Sequence, residues 1–81
     1  PLYADGYFYR GIAKYKMGDF IASIEDYTQV IKINSKDSDA FFNRANVKKE
    51  IGDIKGACQD WRKAAYLGDD EAEKLFEEYC K

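Results

Sequence analysis

The sequence predicts an all-α fold, an α-solenoid of helix-turn-helix repeats with five helices, and three observations carry that reading. The first is internal repetition. Gly18-Asp19-Phe20-Ile21-Ala22-Ser23-Ile24-Glu25-Asp26-Tyr27 returns thirty-four residues later as Gly52-Asp53-Ile54-Lys55-Gly56-Ala57-Cys58-Gln59-Asp60-Trp61. Extending the register pairs Tyr7 with Phe41, Phe8 with Phe42, Arg10 with Arg44, Gly11 with Ala45 and Lys14 with Lys48, so small residues meet small ones and aromatics meet aromatics. The second is periodicity: the segments on either side of each Gly-Asp pair carry apolar side chains three and four residues apart, which places them on one helical face. The third is punctuation. A glycine suits the left-handed end of one helix, and the aspartate after it can accept from the first free amides of the next.

The first helix is expected from about Asp5 to Met17, carrying Tyr7, Phe8, Tyr9, Ile12, Ala13, Tyr15 and Met17. Adjacent residues on a helix are separated by about 100°, so Tyr7, Phe8 and Tyr9 point in different directions. Tyr7 and Gly11 form one stripe, and Phe8, Ile12 and Tyr15 form a second. Gly18 closes this helix and Asp19 opens the next, about Ile21 to Ile33, with Ile24, Tyr27, Val30, Ile31 and Ile33 for packing. Asn34-Ser35-Lys36-Asp37-Ser38 is a polar turn between repeats. Asp37 or Ser38 caps the third helix, which runs to about Ile51. There Phe41, Ala45 and Lys48 follow the first stripe, and Phe42, Asn46 and Lys49 the second. Gly52-Asp53 repeats the turn, and a fourth helix from about Lys55 to Leu67 packs through Ala57, Trp61, Ala64 and Ala65. After Gly68, Asp69-Asp70 open a fifth helix with Ala72, Leu75, Phe76 and Tyr79 inward, a cap over the last apolar face.

A period of 34 residues built from paired amphipathic helices is a signature of the tetratricopeptide repeat (TPR), and the chain resembles that family. Tyr7, Gly11, Ser23 and Tyr27 fit its pattern in the first unit, as do Phe41, Ala45, Ala57 and Trp61 in the second. Both units depart alike, with Arg10 and Arg44 in the Leu slot and Lys14 and Lys48 in the Tyr slot, which reads as a subtype. Ser35 and Asp69 stand in the Pro slot. The resemblance implies one domain over 1–81: repeat 1 at 4–37, repeat 2 at 38–69 and a capping helix at 70–81. Pro1 falls in the closing Pro slot of a preceding unit, so the segment is expected to be the C-terminal portion of a longer array.

What the resemblance implies for function is a non-catalytic protein–protein interaction module that binds a peptide or partner helix in a concave groove. The groove positions are Phe8, Ile12, Tyr15, Phe42, Asn43, Asn46 and Lys49. The family's Lys and Asn clamp for a terminal carboxylate is absent, because Phe8 and Ile12 fill its first-unit slots; the expected ligand is a short, apolar or aromatic segment. The alternative is a structural end-cap of a longer array, or a self-association module forming a homo-oligomer through the exposed first helix. In the family's arrangement Arg10 faces Asp26 and Arg44 faces Asp60, which implies one structural salt bridge per repeat; otherwise these are unrelated surface charges. The same layout brings Cys58 and Cys80 near each other. They form either a disulfide that clamps the cap or two half-buried thiols.

Composition narrows the remaining classes. A chain of 81 residues holds one domain and buries little more than ~60% of its unfolded surface. The net charge of −2 and the lack of a basic cluster argue against a nucleic-acid footprint. The tail is acidic: residues 69–81 hold six acidic and two basic side chains, against nine and eleven in residues 1–68. No apolar run reaches the ~18 residues of a membrane span. With no histidine, neither a Ser-His nor a Cys-His pair can form, and there is no Gly-rich phosphate loop. The chain is therefore read as not an enzyme, with no cofactor. Zinc is not expected without a histidine or a Cys-x-x-Cys pair. No address is legible; a soluble, cytoplasmic protein is expected unless Cys58 and Cys80 are bonded.

Overall fold

Four aspartates set where helices begin. In a computed structural model that describes residues 2–81, the side chains of Asp19, Asp37, Asp53 and Asp69 accept from the backbone N–H of Ala22, Ala40, Gly56 and Ala72. Each such cap is worth about 1 kcal/mol. They open α2 (Phe20–Ile33), α3 (Ser38–Glu50), α4 (Ile54–Tyr66) and α5 (Asp70–Tyr79), which follow α1 (Leu2–Lys16). The described residues are all-helical, with no strand. The expectation attached to Pro1 lies outside them.

The Gly-Asp pairs work as single devices. Gly18, Gly52 and Gly68 hold φ of 82°, 86° and 105°, a region that side chains with a Cβ disfavour. Their N–H groups donate three residues back. The following aspartate N–H donates five residues back, to the carbonyls of Lys14, Lys48 and Ala64 at 2.9, 2.8 and 3.0 Å. This double bond pattern satisfies the last carbonyls of the helix. The same aspartate thus ends one helix with its backbone and starts the next with its side chain. The turn after α2 has no glycine; there Asn34 Oδ1 accepts from Lys36 N–H at 3.1 Å.

Each helix packs on its neighbours in sequence: α1 on α2, α2 on α3, α3 on α4 and α4 on α5. The core lies between the last three, where Trp61 is buried among Phe41, Ala45, Ala57, Ala64 and Ala72. Leu75 and Phe76 of α5 close its side. In the first unit the close approach is made by Gly11. A Cβ there would stand 3.0 Å from the Tyr27 ring, and the Gly11 carbonyl accepts from Ser23 Oγ at 2.8 Å.

The helices depart from the expected bounds by a turn or less, α1 starting at Leu2 instead of Asp5. Ile33, expected to pack, is exposed at the end of α2. Tyr79 is half-exposed, although its ring stacks on Trp61 with centroids 5.5 Å apart. Val47 is buried, outside both stripes expected on α3. The reason is that α3 packs against α2 on one side and α4 on the other, so its buried arc is wider than one stripe.

Candidate functional site

Part of each of the two stripes expected to form a groove lines an open cavity of about 260 Å³. Ile12, Tyr15 and Lys16 line it from α1, Tyr27 from α2, and Asn43, Asn46 and Val47 from α3. Ile12 and Lys16 share a face because they are four residues apart. Tyr27 is buried, with its ring edge-on to Phe8 at 5.8 Å, and Tyr15 leans on Phe20 at 5.5 Å. Burial pushes the Tyr27 phenol above its ordinary value, opposed by hydrogen bonding with Asn43 and Ser23. It therefore remains a neutral hydroxyl in the wall at ordinary pH.

Asn46 joins this wall to the core. Its Oδ1 accepts from Trp61 Nε1 at 3.2 Å, which satisfies the indole donor and fixes the orientation of the amide. The two N–H donors on Nδ2 make no hydrogen bond among the described residues, and none is buried without a partner. They are available at the surface.

Four of the seven expected groove residues, Ile12, Tyr15, Asn43 and Asn46, line the cavity, and three are placed elsewhere. Phe8 packs edge-on against Tyr9 and Tyr27. Phe42 packs against the cluster around Trp61, drawn there by the core that α5 completes with Ala72. The Lys49 ammonium sits 5.2 Å over the Tyr79 ring, held by attraction to the ring face. Lys16, Tyr27 and Val47 were not among the expected residues. Lys16 was findable as the next position on the Ile12 stripe; Tyr27 was assigned only to packing.

The structure brings together both Arg–Asp pairs. Arg10 donates through Nε and Nη2 to Asp26 at 2.9 and 2.8 Å, and Arg44 donates through the same atoms to Asp60 at 2.8 Å each. Asp26 holds the Arg10 guanidinium more firmly protonated than usual, by hydrogen bonding and charge. The two pairs differ in their surroundings. Asp60 also takes Lys48 Nζ at 3.1 Å, and Arg44 Nη1 donates to Thr28 Oγ1 at 3.0 Å across the repeat boundary. Cys58 and Cys80 are joined in a disulfide with Cα atoms 5.7 Å apart, tying the end of α5 to α4.

Among the described residues, no group of three or more His, Cys, Asp or Glu side chains is gathered as a metal site requires. No helix among them is long and apolar enough to cross a membrane. No protein-family model matches the chain, and no curated protein matches it.

Proposed function

We propose that the chain is a non-catalytic interaction module of the tetratricopeptide type, a helical solenoid that takes a short peptide or partner helix in the groove between α1, α2 and α3. One observation carries this: the cavity has aliphatic and aromatic walls from Ile12, Tyr15, Tyr27 and Val47, with the unused amide donors of Asn46 at its margin. Its volume falls below the ~300 Å³ at which small-molecule sites begin, so it suits one anchoring side chain of a longer ligand. An apolar or aromatic side chain enters the cavity, and a backbone carbonyl beside it accepts from Asn46 Nδ2. With Lys49 and Phe42 placed elsewhere, the proposed groove is shortened to the residues of α1, α2 and α3 that line the cavity. The Cys58–Cys80 bond supports an oxidising compartment over the reducing cytosol.

A peptide-display selection against the folded chain, repeated with Tyr15→Ser, tests the reading. A shared motif with one large apolar residue, enriched on the wild type and lost on the variant, is the expected result. Enrichment that survives Tyr15→Ser, or none at all, rejects the groove.

A further inference from the structure

The disulfide and the groove stand at the two ends of one run of contacts. Cys80 caps α5 and is bonded to Cys58 on α4, and the residue before it, Tyr79, stacks its ring on Trp61 with centroids 5.5 Å apart. The same ring carries the Lys49 ammonium, 5.2 Å from its centroid. Trp61 Nε1 in turn donates to Asn46 Oδ1, and Asn46 lines the cavity. One aromatic ring beside the disulfide therefore touches both the core anchor behind the groove wall and the cation that the sequence places in the groove.

Little besides the disulfide holds that ring. Of the α5 residues only Ala72 is fully buried; Leu75 and Phe76 are half-buried, and Tyr79 is 41% exposed. The ion pair of this segment, Glu77 with Lys81, lies within it and ties it to no other helix. Both cysteines are half-buried, so a dissolved thiol can approach the bond. Lys49 makes no ion pair among the described residues. It stands three residues after Asn46, a neighbouring position on the surface of α3. The cavity lining already includes Lys16 and no carboxylate. A freed Lys49 would set a second cation beside the amide donors of Asn46.

We propose that the Cys58–Cys80 bond is a reductive switch on the charge of the groove, an inference that rests on the groove being the binding site. The reductant is a dithiol carrier. One of its thiolates attacks a sulfur of the bond, giving a mixed disulfide and one free thiolate on the chain, and its second thiol then displaces the remaining sulfur. Two electrons and two protons pass to Cys58 and Cys80, and the carrier leaves as its own disulfide. The bonded form keeps Lys49 on Tyr79 and takes a neutral apolar segment. In the reduced form the end of α5 opens locally, Tyr79 leaves Trp61, and Lys49 turns to the groove margin. Asn46 keeps Trp61 as its partner, so the cavity persists and now favours a ligand with a carboxylate beside its apolar anchor.

The test uses two end-blocked fluorescent peptides, each with a single phenylalanine among serines, flanked in one by glutamates and in the other by glutamines. Their binding to the intact chain is read by anisotropy, before and after reduction with dithiothreitol and in the double variant Cys58→Ser with Cys80→Ser. The glutamate peptide is expected to bind about threefold or more tightly in the reduced chain and the double variant, the glutamine peptide equally in all forms. Tyr79→Ala, with the bond intact, is expected to reproduce the gain, and Lys49→Gln in the reduced chain to abolish it. If both peptides bind and reduction moves them equally or not at all, the switch is overturned while the groove reading stands. A gain that survives Lys49→Gln, or an oxidised Tyr79→Ala chain without one, overturns it as well. Binding of neither peptide in either state rejects the groove, and the switch falls with it. Loss of the helical circular-dichroism signal on reduction makes the bond a structural staple and also overturns the switch.

Discussion

Asn46 and Trp61, on facing helices, share one hydrogen bond of 3.2 Å that couples the core to the groove wall. The indole is fully buried, so loss of Asn46 Oδ1 is expected to cost stability, while Asn46 Nδ2, which makes no hydrogen bond, is the part the proposed ligand would meet. Removing the acceptor strands a buried N–H at a cost of about 1–3 kcal/mol. Asn46→Ala is therefore expected to lower the midpoint of urea unfolding. Asn46→Asp keeps an oxygen for Trp61 and loses the amide donors, so it is expected to preserve stability and weaken peptide binding. Equal unfolding midpoints for the alanine variant and the wild type contradict this division of labour.

The two Arg–Asp pairs are alike in sequence and unequal in burial, and their energetics are expected to follow burial. Asp60→Ala leaves Arg44 and Lys48 facing each other in a largely closed space, which costs about 3 kcal/mol. Asp26→Ala leaves Arg10 at the surface, where water replaces the carboxylate, so its effect is smaller. Double-mutant cycles measured by urea unfolding are expected to give a larger coupling for Arg44–Asp60 than for Arg10–Asp26. Equal couplings would show that exposure does not set the difference.

How far the sequence reaches is visible in these same residues. The helices and their Gly-Asp junctions rest on local spacing and on repetition, and both can be read along a chain; the facing of Arg10 to Asp26 follows from the family resemblance and not from spacing. The groove could be read only in part, because contacts between distant segments reassign its side chains. Lys49 turns to Tyr79 across thirty residues, and Phe42 joins a core completed by Ala72. Asn46 acquires a structural partner in Trp61, and Thr28 becomes a contact of Arg44. No periodicity along α3 announces where α5 will lie.

The disulfide closes a segment of 22 residues that contains the turn into α5. Constraint of the unfolded chain by a loop of this size is worth about 3 kcal/mol. Because α5 has only Ala72 fully buried, it is expected to loosen first when the bond is lost. In Cys80→Ser, hydrogen exchange is expected to quicken in α5 while α1 and α2 stay protected, and Trp61 emission is expected to shift to the red as Tyr79 leaves it. Uniform loss of protection in all five helices contradicts local release.

Tyr27 supplies a pH dependence. Its folded-state pKa is raised above the ordinary 10.0 by burial, so the unfolded chain releases the proton first. The contribution is complete below about pH 10 and is lost as pH rises from there through the folded-state value. Wild-type stability is expected to fall more steeply above pH 10 than that of Tyr27→Phe, read as urea midpoints across that range. Parallel profiles contradict the assignment to Tyr27.

The most direct test of the groove is chemical-shift mapping of the labelled chain against a peptide obtained from the display selection. The account predicts saturable perturbations concentrated at Ile12, Tyr15, Asn43, Asn46 and Val47, with the α1 face of Tyr3 and Gly6 unmoved. Perturbations confined to Tyr3, Gly6 and Arg10, or scattered without saturation, would contradict it.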